Sequence, residues 1–492
     1  MSTPPWPANF RNAAIAGRAA SSKPRRQIHV RTMPIILTMT TGRIRTGISI
    51  TAAATRRSTS ARITARITIS TTRARSISAK AKSMTAATIR APASTTVETM
   101  RPLLITENFP PDRGGMAQSC DRIVRGLRSR GIDLDVVHLS SRHAALRIEQ
   151  HERGRLISCP VADDPAHALN LLWNTLGHDP IRPSHLLAFG GLLPMLCAPS
   201  FAAWMHVPLI TLLRGNDFDT GIFSLSRGWM LRDALARSAA VCAVSTDHRD
   251  KVSSLFPDIR SEWIANGIDA NDWAVLDIDR NQASAWRAAQ VRDGQTVIGL
   301  FGHLKRKKGG LFFLDALESC ENAAQAHLLI VGEIEAEMLI RLQALPPHIS
   351  WTHVPFLDRL ELLRWYAACD FVAIPSLYDG MPNVALEAGA LGLPVLGAMV
   401  GGLADLLVDG DNALTFAPGD SHACRRALDA AIEMPESMRQ TFGRNLQTTV
   451  LREFDQRIEA RRYHELLIET ASSAARDMRT LITPIHLKEY QT

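Results

Sequence analysis

From Arg101 onward the chain alternates short apolar runs with longer amphipathic stretches, and this alternation constrains the fold more than any other feature. The runs at 103–107 (LLITE), 134–140 (LDVVHLS), 185–189 (HLLAF), 208–215 (PLITLLRG) and 239–245 (AAVCAVS) have the length and composition of buried strands. Helical patterns lie between them. One is 118–131, with apolar or small residues at 120, 123, 124 and 127 and a stop at Gly131. Strands alternating with helices build βαβ units and a parallel, doubly wound sheet. The pattern breaks between Gly267 and Arg292, then restarts with apolar runs at 296–302, 327–333, 351–356, 370–376, 393–398 and 412–418. The expectation is an α/β chain with two consecutive Rossmann-like domains, over 100–275 and 276–435. One long charged helix at 436–475, packing back on the first domain, and a tail at 476–492 follow.

Residues 1–99 read differently. They are rich in Arg, Ser, Thr and Ala and show no sustained period of 2 or 3.6 residues. Residues 1–100 hold fourteen Arg, three Lys and one acid, Glu98, for a net charge of +16. The remaining residues hold 39 basic and 47 acidic side chains, a net charge of −8, so the basic balance belongs to the N-terminal fifth alone. Such a segment buries too little apolar surface to offset its ordering entropy and is expected to be disordered. Three origins fit it: a chain start placed too early, with Met100 as the functional start; an organelle transit peptide; or a basic arm for nucleic acid or anionic lipid. The first is the reading adopted, and no nucleic-acid partner is expected. The apolar run 33–39 is too short and wrongly flanked for a secretory signal.

The seven cysteines are scattered and form no C-x-x-C pair, which argues against zinc ribbons and disulfide scaffolds. No metal-ligand cluster is evident. Residues 184–213 carry no Asp, Glu, Lys or Arg, long enough to span a bilayer. Gly190, Gly191, Pro194, Pro199 and Pro208 divide that run into strand, helix and strand, and a parallel-sheet strand buried on both faces reads the same way. Trp204, Trp229 and Trp365 read as core or cleft-wall residues, Cys120 as a packing residue and His206 as a helix end.

Three segments carry chemistry. Gly114 and Gly115 sit between the first strand and a helix, where the backbone can approach a ligand and free N–H groups face an anion. The segment 299–310 (GLFGHLKRKKGG) offers Lys305, Arg306, Lys307 and Lys308 beside a strand end, where a cation could neutralise a diphosphate leaving group. In 370–420, Asp379 and Glu387 are eight positions apart, with a turn at Gly380 and a helix from about Asn383. Helix N–H groups there suit a diphosphate, Glu387 suits a ribose and Asp379 a sugar. Two carboxylates also suit a glycosidase pair, which nothing else in the sequence supports.

Taken together, residues 101–470 resemble the family 4 retaining glycosyltransferases of the GT-B fold, the glycosyl transferases group 1. The matching segments, in order, are PPDRGGM at 110–116, NGID at 266–269, the loop ending at Lys308 and Gly309, VGE at 331–333, LLRWYAACD at 362–370 and PSLYDGMPNVALEAGALGLPV at 375–395. The resemblance implies two Rossmann-like domains facing each other across a cleft. It implies transfer of a sugar from a nucleotide-diphosphate sugar to an acceptor hydroxyl with retention, and no metal or other cofactor. Glu387 would hold the ribose, Asp379 the donor sugar and Lys308 the diphosphate. Backbone N–H groups around Gly380, Met381, Asn383 and Val384 would face the sugar and diphosphate, Gly115, with Gly114 beside it, would close on the diphosphate from the first domain, Glu333 would lie near the base, and His303 would be a further donor-binding residue.

Three departures stand out: His303 where the family usually has Arg, Asp379 in place of Glu, and Arg214 where the family often has His. Arg214 and Asp217 are therefore acceptor-side residues of open role. UDP, GDP and ADP are not distinguished. The expected acceptor is a glycan or lipid-linked compound of cell-surface polysaccharide or glycolipid synthesis, at a cytoplasmic site that includes peripheral contact with the inner membrane face. The alternatives are another GT-B enzyme, a phosphorylase or epimerase, and a non-catalytic sugar-nucleotide-binding protein.

Overall fold

A computed structural model gives the architecture and describes residues 37–41, 44–55, 62–71, 100–161 and 164–481. The chain divides into two units, Met1–Ala93 and Ser94–Thr492. In the first, β1 (Leu37–Thr41), β2 (Ile44–Thr55) and β3 (Arg62–Thr71) pair as an antiparallel meander. Three strands thus stand where no regular element was expected. Their Ile and Thr content favours extended backbone even without strict alternation. The rest of 1–99 and the tail after 481 lie outside the described residues.

The second unit holds two sheets. The first contains β4 (Leu103–Thr106), β5 (Asp135–Ser140), β6 (Arg147–His151), β7 (Gly154–Pro160), β8 (Leu186–Phe189), β9 (Leu209–Leu212), β10 (Ala240–Ala243) and β11 (Ser261–Trp263). Their spatial order is β11-β10-β9-β8-β4-β5-β7-β6, and only the β6–β7 pair is antiparallel. The second sheet is wholly parallel. It contains β12 (Thr296–Phe301), β13 (Ala326–Val331), β14 (Ser350–Val354), β15 (Phe371–Ile374), β16 (Val395–Ala398) and β17 (Ala413–Phe416), in the order β14-β13-β12-β15-β16-β17.

Side-chain alternation explains the apolar runs. Val297, Leu329, Val331 and Val372 enter the core on one face of the second sheet, and Ile298, Leu300, Leu328, Ile330 and Phe371 enter the core on the other. Helices cover both faces, so neither side of the strand needs polar residues. The charge-free stretch 184–213 resolves into β8, the helix Leu192–Met205 and β9, with His206 closing the helix in a left-handed conformation. Among the described residues no helix is long and apolar enough to cross a membrane.

Each sheet has a point where strand order reverses: between β4 and β8 in the first, and between β12 and β15 in the second. Loops leaving the carboxyl ends of the strands at such a point diverge and leave a ligand crevice. The glycine loop 107–115 leaves β4. The Lys308 and Asp379 loops leave β12 and β15.

The C-terminal segment is two helices rather than one. Glu436–Glu453 packs on Asn383–Ala390 in the second domain, where a Cβ on Gly389 would lie 2.5 Å from Val450 Cγ2. The chain then extends at Phe454–Asp455, where Ile268 N–H donates to the Phe454 carbonyl at 2.8 Å and Gln456 N–H donates to the Ile268 carbonyl at 3.0 Å. Only the helix after it, Gln456–Leu481, returns to the first domain, against Gly115–Ser129. Arg122 and Glu459 form a buried ion pair there at 2.7 Å. The single charged stretch read from the sequence hides the break because Phe454 and Asp455 carry no Gly or Pro to mark it.

Candidate functional site

The loop after β12 ends in a tight turn at Arg306–Lys308 and turns again at Gly309, whose φ of 69° and contact with the Pro375 carbonyl exclude a side chain. This brings the β12 loop against the β15 loop. Lys308 Nζ is ion-paired to Asp379 Oδ2, with 27% and 12% of the two side chains exposed. Gly380 N–H donates to Asp379 Oδ1 at 3.0 Å and Ser376 Oγ reaches Oδ2 at 3.4 Å. Burial pushes the Asp379 carboxyl up, but Lys308, Lys307 and the Gly380 N–H outweigh it and hold the group below the usual carboxylate range.

The helix Asn383–Ala390 begins directly after Pro382, whose φ of −69° suits a helix start, and no side chain caps it. The N–H groups of Asn383 and Val384 are therefore left uncapped at the start of the helix, four and five residues after Asp379 in the chain. Met381, just before the helix, is buried.

Glu387 lies one turn further along. Tyr366, fully buried, donates its hydroxyl to Glu387 Oε2 at 2.6 Å and stacks on Phe301 with ring centroids 3.8 Å apart. Burial pushes the Glu387 carboxyl up to about 7, against smaller opposing effects of Tyr366 and Arg122. His303 and Glu333, on neighbouring loops, face each other at 3.4 Å and are both largely exposed. Leu304 N–H donates to the Glu333 carbonyl at 2.8 Å and ties the two loops together.

The first domain meets this surface directly. Gly114, with φ of 107°, starts the helix Gly115–Ser129, and Asn383 Nδ2 donates to the Gly115 carbonyl at 3.5 Å. Gly215, with φ of 105°, lies backbone to backbone against Gly380, where either residue's Cβ would collide with the other loop. Thus the structure gathers Gly114, Gly115, Lys308, Asp379, Gly380, Met381, Asn383, Val384 and Glu387 around one seam.

Several expectations change in detail. The Gly380 N–H, expected to face a sugar, is used by Asp379. Asp217, expected on the acceptor side, spends its carboxylate on the backbone N–H groups of Arg214 and Phe218, each at 3.0 Å. The Arg214 side chain is buried and turned inward rather than toward an acceptor. Trp229 is 63% exposed rather than part of the core or cleft wall.

Sequence reasoning missed four groups at the seam. Asn266 donates to the Met381 carbonyl at 3.0 Å, and its place in NGID was the signal for it. Asp405 accepts from Thr246 N–H at 2.9 Å, at the start of a first-domain helix. Arg113 lies over the Phe356 ring at 5.0 Å. Tyr463, at 3.4 Å from Arg214, has no local signal at all. Among the described residues no group of His, Cys, Asp and Glu could hold a metal ion.

Glu387 has a measurable signature. Its folded-state carboxyl titrates near 7 against an ordinary value of 4.5, so between these values the folded protein holds a proton that the unfolded chain releases. The stability from this group is complete below pH 4.5 and falls as pH rises to about 7. Gln cannot ionise. Melting curves across that window should show Glu387→Gln gaining on the wild type as pH rises, then levelling off. A Tm difference that stays constant through the window would contradict the assignment.

Comparison with known proteins agrees with this geometry. The glycosyl transferase 4-like domain matches residues 114–267 and the glycosyl transferases group 1 domain matches residues 295–434, together more than half of the chain. An uncharacterized glycosyltransferase of Methanocaldococcus jannaschii is 25% identical over 356 residues, which cover 68% of this chain and 89% of that protein. Sucrose-phosphate synthase from Thermosynechococcus elongatus superposes with a TM-score of 0.65 at 17% identity, over 76% of this chain and all of that one. An Anabaena protein solved in complex with UDP and glucose superposes with a TM-score of 0.60 at 20% identity, over 75% of this chain and all of its own. With both domains matched in order, each on its own predominantly parallel sheet, the chain belongs to the group 1, family 4-type glycosyltransferases of the GT-B fold.

Proposed function

We propose that this glycosyltransferase takes a hexose-type sugar from a nucleoside-diphosphate sugar and passes it to an acceptor hydroxyl with retention at the anomeric carbon. The observation that carries the reading is the Lys308–Asp379 pair beside the uncapped start of the helix Asn383–Ala390, opposite Gly114 and Gly115. Lys308 and the helix N–H groups face the diphosphate, and Glu387 faces the ribose hydroxyls with the carboxylate oxygen that Tyr366 leaves open. The Anabaena protein's complex with UDP and glucose supports the same ligand class.

The bond from the anomeric carbon to the diphosphate oxygen breaks, and a bond to the acceptor oxygen forms on the same face. The acceptor proton passes to the departing diphosphate. Lys308 and the helix terminus stabilise the charge that develops on that leaving group, which is the task a divalent cation performs elsewhere. The reaction therefore needs no metal in this reading. Lys308→Ala should lower turnover by about 100-fold or more while the fold is kept. An α-linked donor should give an α-linked product by NMR, and turnover should survive EDTA. Near-normal turnover of Lys308→Ala, an inverted product, or loss of turnover in EDTA with recovery on adding a divalent ion would each contradict a part of it.

For the acceptor we propose a glycan or lipid-linked compound reached at the inner membrane face. The support is an outward row on the first domain. In 222–230 the side chains of Ile222 and Met230 join the core, while Phe223, Leu225 and Trp229 are 84%, 102% and 63% exposed. Three large apolar groups so close together are unusual for a surface that meets only water. Vesicle flotation of the full chain should show at least about tenfold weaker partition for Phe223→Ser/Leu225→Ser/Trp229→Ser. Equal partition of wild type and variant would contradict the location.

A further inference from the structure

We propose that Arg214 is a positioning residue for sugar transfer, the head of a directional hydrogen-bond relay that aligns the two helix N-termini facing each other across the seam. The role in transfer rests on the donor site described above; the relay itself is independent of it.

Arg214 follows β9. Its backbone N–H is held by Asp217, and its carbonyl lies against Gly380. Its side chain turns inward and is 8% exposed. The guanidinium sits over the Phe189 ring at 5.0 Å, donates to the Tyr463 hydroxyl at 3.4 Å and donates to Asn266 Oδ1.

A guanidinium has only donors. By occupying Oδ1 it fixes which way the Asn266 amide points. The Asn266 NH2 group must then face the second domain, where it donates to the Met381 carbonyl at 3.0 Å and to Asn383 Oδ1 at 3.1 Å. The same logic repeats at Asn383. With Oδ1 occupied as acceptor, its own NH2 points back across the seam to the Gly115 carbonyl at 3.5 Å. The sense of every amide follows from Arg214, and the relay runs Arg214 to Asn266 to Asn383 to Gly115.

Asn383 is the first residue of one helix and Gly115 the first residue of the other. The relay thus sets the distance and angle between the two sets of helix N–H groups. A histidine at position 214 has a shorter reach and a ring nitrogen able to act as acceptor, so it leaves the Asn266 amide free to flip.

The test uses the full chain and two readouts. Hydrogen exchange in Arg214→Met should speed up by about tenfold or more at the amides of 115–118 and 381–385, while the strands of both sheets keep their protection. Turnover with the donor should fall by about tenfold in kcat, with nucleotide affinity within about twofold of wild type, and Arg214→Lys should recover part of the loss. Arg214 and Asn383 are not in contact, so without a relay their effects would multiply. With it, Arg214→Met/Asn383→Ala should lose no more kcat than the worse single variant.

Unchanged exchange at both segments would overturn the proposal, as would multiplying kcat losses or equal losses of kcat and nucleotide affinity. If Arg214→Met does not fold, Asn266→Ala, which cuts the relay at its second link, is read by the same exchange criterion. A wild-type protein that binds no nucleotide would refute the donor site, and the exchange result would still decide the relay.

Discussion

A partly buried ion pair between Lys308 and Asp379 fixes the charged groups of the two loops on which the site depends. The loops leave the paired strands β12 and β15 where strand order reverses, and the close approach of Gly309 to Pro375 and a bond from Leu377 N–H to the Lys307 carbonyl at 2.9 Å bring them together before any side chain acts. The Asp379 carboxylate is largely shielded from water and would be costly there alone. Lys308, the Gly380 N–H and Ser376 make it tolerable. Removing Lys308 would leave the shielded carboxylate less well compensated, at a cost below the roughly 3–5 kcal/mol of a fully buried pair because the lysine keeps contact with water. The same cation lies next to an uncapped helix start, so the arrangement that stabilises the loop also offers positive potential to an incoming anion.

The second constraint is how the domains are joined. Two extended segments, at 266–269 and 454–456, cross side by side, so the chain passes from first to second domain and back again through one narrow strip. The domains also meet at the Arg122–Glu459 pair, at the bond from Thr246 N–H to Asp405 at the start of a first-domain helix, and at the backbone contact of Gly215 with Gly380. A site built on such a seam exists only when both domains are in place. This fits a reaction that has to keep water from an activated sugar.

Much of this was legible in the sequence. The apolar runs at 296–302, 327–333 and 370–376 each became a central parallel strand, because strands buried on two faces carry an unbroken apolar signal. The hairpin β6–β7 was not legible. Residues 147–151 are exposed throughout and carry no apolar run to mark a strand, yet they form an antiparallel edge strand, with Gly154 allowing the turn. Asp379, Glu387 and Lys308 were legible because each lies in a local motif whose chemistry is carried by neighbours in sequence. Tyr463 was not, because its meaning depends on Arg214, 249 residues away. The inward turn of Arg214 was hidden for the same reason: it is set by Phe189, Asn266 and Tyr463, which only the fold brings together.

On the proposed function, the seam between the two domains binds a nucleoside diphosphate through Lys308 and the start of the helix Asn383–Ala390. Isothermal titration of the full chain with UDP, GDP and ADP measures this directly. The expected result is saturable one-to-one binding of at least one nucleotide, about tenfold or more weaker in Lys308→Ala and weakened by salt. Absence of heat with all three nucleotides from a folded protein, or equal affinity in Lys308→Ala, would contradict it.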